Sequence, residues 1–215
     1  MRFQDREHAA CLLAERLRAA YQNEHPLVLG VPRGAMPMAK VIAGALDGEL
    51  DVVLVHKLGH PDQPELAIGA IDESGNTLLN DWGAEIDYAY IEAEKRRQLS
   101  ILRERRAHYT PRRASIDPKD RIVIVVDDGI ATGSTMIAAL RAVRAKKPKK
   151  LIGTVAVASA AAARAMLREC DALVCLNVPA NFSAVGEFFD DFRQVTDQDV
   201  IDVLRRSESG MPALG

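Results

Sequence analysis

The segment Arg121-Ile-Val-Ile-Val-Val-Asp-Asp-Gly-Ile-Ala-Thr-Gly-Ser-Thr135 decides the fold. Its apolar stretch to Val126 is continuous rather than alternating, the pattern of a strand covered on both faces. The strand leads into a tight loop, and a helical pattern runs from Ser134 to Ala145. Gly133 permits close backbone approach, and the first amides of the helix, with the hydroxyls of Thr132, Ser134 and Thr135, can surround a phosphate. No Gly-Lys pair precedes Ser134, which excludes a P-loop, and the three glycines of a dinucleotide fingerprint are missing. Two adjacent acids, Asp127 and Asp128, would repel a phosphate unless they serve another group. A ribose diol is the natural partner, because carboxylates accept hydrogen bonds from two hydroxyls while a phosphate sits further along.

Working outward, further short runs rich in Val, Ile and Leu occur at Leu27 to Val31, Asp51 to Val55, Leu151 to Val157 and Ala172 to Leu176. Segments of helical length lie between them: Met36 to Leu46, about Ile86 to His108, and Ala160 to Glu169. This alternation predicts an α/β fold with a doubly wound, mostly parallel sheet, whose right-handed crossovers place ligands at the carboxyl ends of the strands. The stretch Lys57 to Asn76 is punctuated by Gly59, Pro61, Pro64, Gly69 and Gly75, and reads as a mobile flap with a short strand at Ala67 to Asp72. Four phenylalanines, Phe182, Phe188, Phe189 and Phe192, fall between Asn177 and Asp199 in a chain only 5% aromatic. Their concentration predicts a small C-terminal hood at about 177–200. The sequence therefore divides as one domain over residues 1–206, with its core at about 25–176, the flexible loop at 57–76, and a disordered tail at 207–215.

A chain of 215 residues suits one well-buried domain better than two small ones. With 28 basic and 30 acidic side chains interspersed, the net charge is −2, and no nucleic-acid partner is expected. Cys11, Cys170 and Cys175 have neither a disulfide framework nor metal-type spacing, which suits a reducing, cytoplasmic setting. No apolar stretch approaches a membrane span, so neither signal peptide nor membrane anchor is expected. The charges between Glu92 and Arg106 alternate as helix pairs do, and Lys146 to Lys150 read as a solvated turn after a helix. Met36 and Met38 read as core.

Residues 123 to 135, Val-Ile-Val-Val-Asp-Asp-Gly-Ile-Ala-Thr-Gly-Ser-Thr, resemble the binding motif for 5-phosphoribosyl 1-diphosphate (PRPP) of the type I phosphoribosyltransferases. The resemblance implies that Asp127 and Asp128 hold the ribose 2- and 3-hydroxyls, and that Ala131, Thr132, Gly133, Ser134 and Thr135 hold the 5-phosphate. Leu27 to Gly34 ends a strand in Pro-Arg-Gly where the family has its pyrophosphate loop, so Arg33 and Gly34 meet a diphosphate. Val55 to Ala70 is similar to the flexible catalytic loop of a subgroup carrying Lys-Leu-Gly, Pro-Glu and a Gly-Ala strand. In that reading Lys57 touches the diphosphate, and Glu65 or Asp62 serves as acid or base once the flap closes.

The resemblance implies transfer of the phosphoribosyl group from PRPP to a small-molecule acceptor, with Lys57, Glu65 and Asp128 as the catalytic set. Leaving-group charge would be met by Arg33, Lys57 and Mg²⁺ carried by PRPP, with no dedicated metal site. Pro179 to Gly186 is similar to the base-binding hood of the 6-oxopurine enzymes, where Phe182 would stack on the base, and this favours a purine. Ala131 opposes it, because those enzymes carry an Asp there. Family resemblance points to a homodimer, although no uninterrupted apolar face marks an interface. The alternative is a non-catalytic PRPP or nucleotide sensor on the same fold; retention of Arg33, Lys57 and the flap favours turnover.

Overall fold

The computed structural model describes residues 1–208. Helix α1 (Arg6–Tyr21) leads into β1 (Leu27–Gly30), α2 (Met36–Ala45) and β2 (Glu49–Val52). Strands β3 (Val55–Gly59), β4 (Ala67–Asp72) and β5 (Thr77–Leu79) precede a 3-10 turn (Asp81–Glu85) and the long helix α3 (Tyr88–Tyr109). After these come β6 (Ile122–Ile130), α4 (Ser134–Ala145), β7 (Lys150–Ala158), α5 (Ala160–Met166), β8 (Ala172–Asn177), a second 3-10 turn (Val185–Phe188) and α6 (Asp197–Glu208).

The main sheet has five strands in the order β2-β1-β6-β7-β8, all parallel. From β1 the chain crosses through α2 to the strand on one side, and from β6 it crosses through α4 to the strand on the other. Right-handed crossovers in opposite directions put α2 and α4 on opposite faces. The order reverses between β1 and β6, and that reversal opens a crevice beyond their carboxyl ends. The apolar runs follow from this burial: Val123 to Val126 and Val155 to Ala158 are all within the core. On α2, Met36, Met38 and Ile42 are fully buried, each contributing about 1.5–3 kcal/mol relative to exposure.

Strand β6 is longer than its sequence pattern suggests. The register places Gly30, the last residue of β1, opposite Val126, whereas β6 continues beside β7 through Gly129 and Ile130. Asp127 and Asp128 therefore belong to the strand, not to the loop. Their flank on the β1 side is left without a strand partner, and this is where the site lies.

The run Asp51 to Val55 is not one strand. Glu49–Val52 closes the edge of the main sheet, and Val55–Gly59 begins a second, antiparallel sheet in the order β3-β4-β5. Val53 and Leu54, both buried, carry the chain from one to the other. Most of the expected loop at 57–76 is thus a ribbon, with His60 to Leu66 as its connection. Its second turn is set by Asp72, whose carboxylate accepts from the Ser74 and Asn76 amides at 2.9 Å each, with Gly75 at φ +89°.

Two helices escaped the sequence reading. Helix α1 starts at Asp5, whose side chain accepts from the His8 amide at 2.8 Å, and buries Ala9, Ala10, Leu13, Ala14, Leu17 and Tyr21. Helix α6 starts with reciprocal bonds between Thr196 and Asp199, a capping box, and buries Val200, Ile201 and Leu204. It extends through Glu208, so Ser207 of the expected tail is helical, and residues 209–215 lie outside the described residues. The hood is not purely C-terminal. Phe3 bridges to Phe189, and the Asp190 and Asp191 amides donate to the Phe3 and Gln4 carbonyls at 2.9 and 2.8 Å.

Candidate functional site

Asp127 and Asp128 sit at the switch point. One oxygen of Asp127, Oδ1, accepts from the Asp128 amide at 2.9 Å. Asp128 Oδ2 accepts from Arg6 Nε at 2.9 Å and forms an ion pair with Nη2, also at 2.9 Å, with both side chains mostly buried. Among the described residues no side chain donates to Asp127 Oδ2 or Asp128 Oδ1, while the Gly129 and Asp128 amides lie close enough to the Asp128 carboxyl to favour its ionised form. Burial raises the pKa of both acids. Asp127 is pushed well up, by desolvation first and then by the neighbouring Asp128 charge. Asp128 is raised by desolvation and pulled back by the Arg6 charge. Two adjacent carboxyls thus present oxygens free of side-chain donors in a partly desolvated setting.

Across the crevice, Pro32, Arg33 and Gly34 follow β1, and the Pro32–Arg33 peptide is cis. Gly34 has a steric reason to be glycine: a Cβ there would lie 2.3 Å from Asp128 Oδ2. Arg33 reaches Asp197 at the start of α6, with 3.5 Å between charged atoms. Asp197 also accepts the Tyr109 hydroxyl. That bond, followed by the Arg33, Arg105 and His108 charges, lowers the Asp197 pKa against desolvation. Burial and the Asp197 carboxylate push the Tyr109 phenol up. These residues surround a cleft of about 710 Å³, lined by Arg6, Arg33, Gly34, Arg105 and Asp128 on the core side and by Val185, Phe192, Gln194, Val195 and Asp197 on the hood side. Three arginines against two aspartates give its lining a net positive charge.

The loop after β6 lies outside this cleft, beside the acids. Ala131, Thr132, Ser134 and Thr135 are exposed, and Gly133 sits in the left-handed region at φ +83°. No side chain caps the helix it opens, so the first amides of α4 remain available to an anion. The loop is anchored from below, where the Ser159 hydroxyl donates to the Ala131 carbonyl at 2.7 Å.

Lys57 and Glu65 are brought together, but not into the cleft. Lys57 Nζ stands 2.9 Å from Glu65 Oε2, and Glu65 is fully exposed. The bond and charge of Lys57 lower the Glu65 pKa, which holds the carboxylate ionised and opposes a role as an acid in this conformation. Phe182 also lies elsewhere: its ring stacks on Phe188, with centroids 5.6 Å apart. Phe192 takes the place facing the cleft, with the Arg6 guanidinium 3.8 Å over one ring face and Phe189 stacked at 4.9 Å. The hood is pressed on the acid strand by Val185, which would be 2.5 Å from a Cβ at Gly129. Sequence reasoning missed Arg6, Arg105, Phe192 and Gln194. Only the helix-start signal at Asp5 could have drawn attention to Arg6.

Residues 4–192 match the phosphoribosyl transferase domain model. The chain belongs to the phosphoribosyltransferase family. It is 39% identical over 216 aligned positions to the Mycobacterium tuberculosis H37Rv protein named "Putative phosphoribosyl transferase Rv0571c", covering 99% of this chain and 48% of that one. The chain thus spans about half the length of the curated relatives it matches. Among solved structures it resembles TT1426 from Thermus thermophilus, at TM-score 0.87 and 44% identity, covering 95% of this chain and 98% of that chain. The α/β fold with a five-stranded parallel sheet is the one expected of this family. Among the described residues no helix is long and apolar enough to cross a membrane, and no three His, Cys, Asp or Glu side chains converge as a metal site.

Proposed function

We propose that this protein transfers the 5-phosphoribosyl group of PRPP to a nitrogenous base and releases diphosphate. The observation that carries this reading is the pair of adjacent carboxylates at the switch point, with Asp127 Oδ2 and Asp128 Oδ1 left free of side-chain donors, beside the uncapped amides of α4. The diol of a ribose takes the oxygens, and its 5-phosphate takes the loop from Ala131 to Thr135. Arg33 and the Gly34 backbone meet the diphosphate, which lies over the arginine-lined cleft.

Breaking the bond to diphosphate leaves positive charge on the ribose ring, and the carboxylates beneath it oppose that charge. Mg²⁺ carried in on the diphosphate would supply charge neutralisation to the leaving group, beside Arg33. Two acids at the site, with no third ligand converging on them among the described residues, fit a cation that arrives on substrate phosphates rather than one held in a protein cage. Closure of the His60–Leu66 connection brings Lys57 towards the diphosphate and shields the ring from water, with Glu65 released to act on the acceptor. A purine is the first acceptor class to examine, on the hood sequence Pro179 to Gly186. Ala131 weighs against a 6-oxopurine, and Phe182 reaches the acceptor only after leaving Phe188. The expected setting is cytoplasmic, and the expected assembly is a homodimer.

Calorimetric titration of PRPP with Mg²⁺ tests the binding half of the proposal. Wild-type protein is expected to bind, and Asp127→Asn and Asp128→Asn to lose on the order of 10-fold or more each, as removal of a charged hydrogen-bond acceptor does. Unchanged affinity in both variants would place the ribose elsewhere.

A further inference from the structure

Arg6 is the first residue of α1 and lies 122 positions from Asp128 in sequence, yet its guanidinium is used on every side. Nε donates to Asp128 Oδ2 at 2.9 Å, and Nη2 stands 2.9 Å from the same oxygen as its ion-pair partner. Nη1 donates to the Arg193 carbonyl at 2.7 Å, and the guanidinium plane lies over Phe192. Gly34 closes on Oδ2 from another side, so that oxygen is held on both flanks. The segment before Arg6 is itself tied to the hood through Phe3 and Gln4. We propose that Arg6 is a positioning residue: it pins Asp128 Oδ2 so that Oδ1 is presented to a ribose hydroxyl, and it makes that presentation depend on a docked hood. This inference rests on the proposed function.

The chemistry needs an arginine. A lysine would supply charge at one point, without the fork that fixes an oxygen or the flat face that stacks on Phe192. The charge also decides where a proton goes in the acid pair. Arg6 from α1 faces Asp128, together with Arg33 from the turn after β1, Arg105 from α3 and Asp197 from α6 around the cleft. Arg6 is the cation in contact, and it pulls Asp128 back against the burial that raises both acids, while Asp127 is raised further by the Asp128 charge. Removing it lets Asp128 take up a proton at higher pH, and a protonated carboxyl no longer serves as a two-lone-pair acceptor.

The test is PRPP affinity across pH 5 to 8.5 by calorimetry, for wild type, Arg6→Gln and Arg6→Lys, with thermal unfolding of each. Losing a forked, charge-assisted pair is expected to weaken PRPP binding on the order of 30-fold in Arg6→Gln, with its acid limb moved to higher pH. Arg6→Lys is expected to keep the limb near the wild-type pH while recovering only part of the affinity. Wild-type affinity in either variant, or a uniform loss with no movement of the Arg6→Gln limb, overturns the role. Should Arg6→Gln not fold, Arg6→Lys decides: affinity below wild type with the limb in place supports the role, and wild-type affinity or a displaced limb overturns it. If wild-type protein binds no PRPP, the proposed function fails and this inference falls with it; wild-type binding with an unaltered Arg6→Gln limb defeats this inference alone.

Discussion

Gly34→Ala adds one carbon at the place where the two halves of the site touch. The new Cβ would lie 2.3 Å from Asp128 Oδ2, and the next nearest atom, Asp128 Cγ, is at 3.1 Å. Moving the carboxylate out to an ordinary 3.4 Å contact requires a shift of about 1 Å, and a misplacement of that size costs on the order of 100-fold in rate. The shift cannot be absorbed by rotation alone, because Arg6 holds the same oxygen with a hydrogen bond from Nε and an ion-pair contact from Nη2. Either the Arg6 pair breaks or the turn carrying Arg33 withdraws, and both disturb the ribose and diphosphate positions together. The assay is steady-state diphosphate release, with urea unfolding to show that the variant remains folded. A fall of on the order of 100-fold in kcat/KM with intact stability is expected. A fall of less than about 5-fold would mean that Asp128 tolerates displacement, and the account of the acid pair as a rigid diol clamp would be wrong.

Other expectations concern the frame around the site. Arg106 joins α3 to Asp51 on β2 at 2.8 Å and to Glu73 beyond β4 at 2.6 Å, all mostly buried; Arg106→Met leaves Glu73 unpaired and should cost about 3 kcal/mol in urea unfolding, with under 1 kcal/mol counting against a structural role. Arg144 and the Leu151 amide hold the Asp171 carboxyl below its ordinary 3.8. Its contribution is therefore present above that value and lost as pH falls through the lower folded-state value. Asp171→Asn should cost up to about 1 kcal/mol at pH 7 and progressively less below pH 4, and a cost independent of pH would refute the linkage. Lys57→Ala removes an exposed ion pair and should leave the unfolding midpoint unchanged while lowering kcat for diphosphate release; the reverse pattern would make Lys57 structural.

The acid pair, the Pro-Arg-Gly turn and the 131–135 loop were legible because each is local: a strand, a turn and a helix start written in adjacent residues. The five-strand sheet followed from the spacing of apolar runs. Asp51 to Val55 misled because periodicity cannot show that buried Val53 and Leu54 turn the chain from one sheet into another. The ribbon at 57–76 was hidden by its prolines and glycines, which mark turns without showing which strands they join. The hood aromatics were visible as a cluster, but which ring faces the cleft depends on Phe3 pairing with Phe189, a contact between the chain's two ends. Arg6 was hidden for the same reason. Helices α1 and α6 had readable caps at Asp5 and at Thr196 and Asp199, and these signals were overlooked.

Diphosphate release from PRPP with Mg²⁺ across a panel of purine and pyrimidine bases, with Asp128→Asn beside the wild type, separates transfer from mere binding. Release is expected to depend on one class of base and to be lost in the variant. PRPP binding without release for any base would rule out the transfer and mark a PRPP-sensing protein built on the same fold.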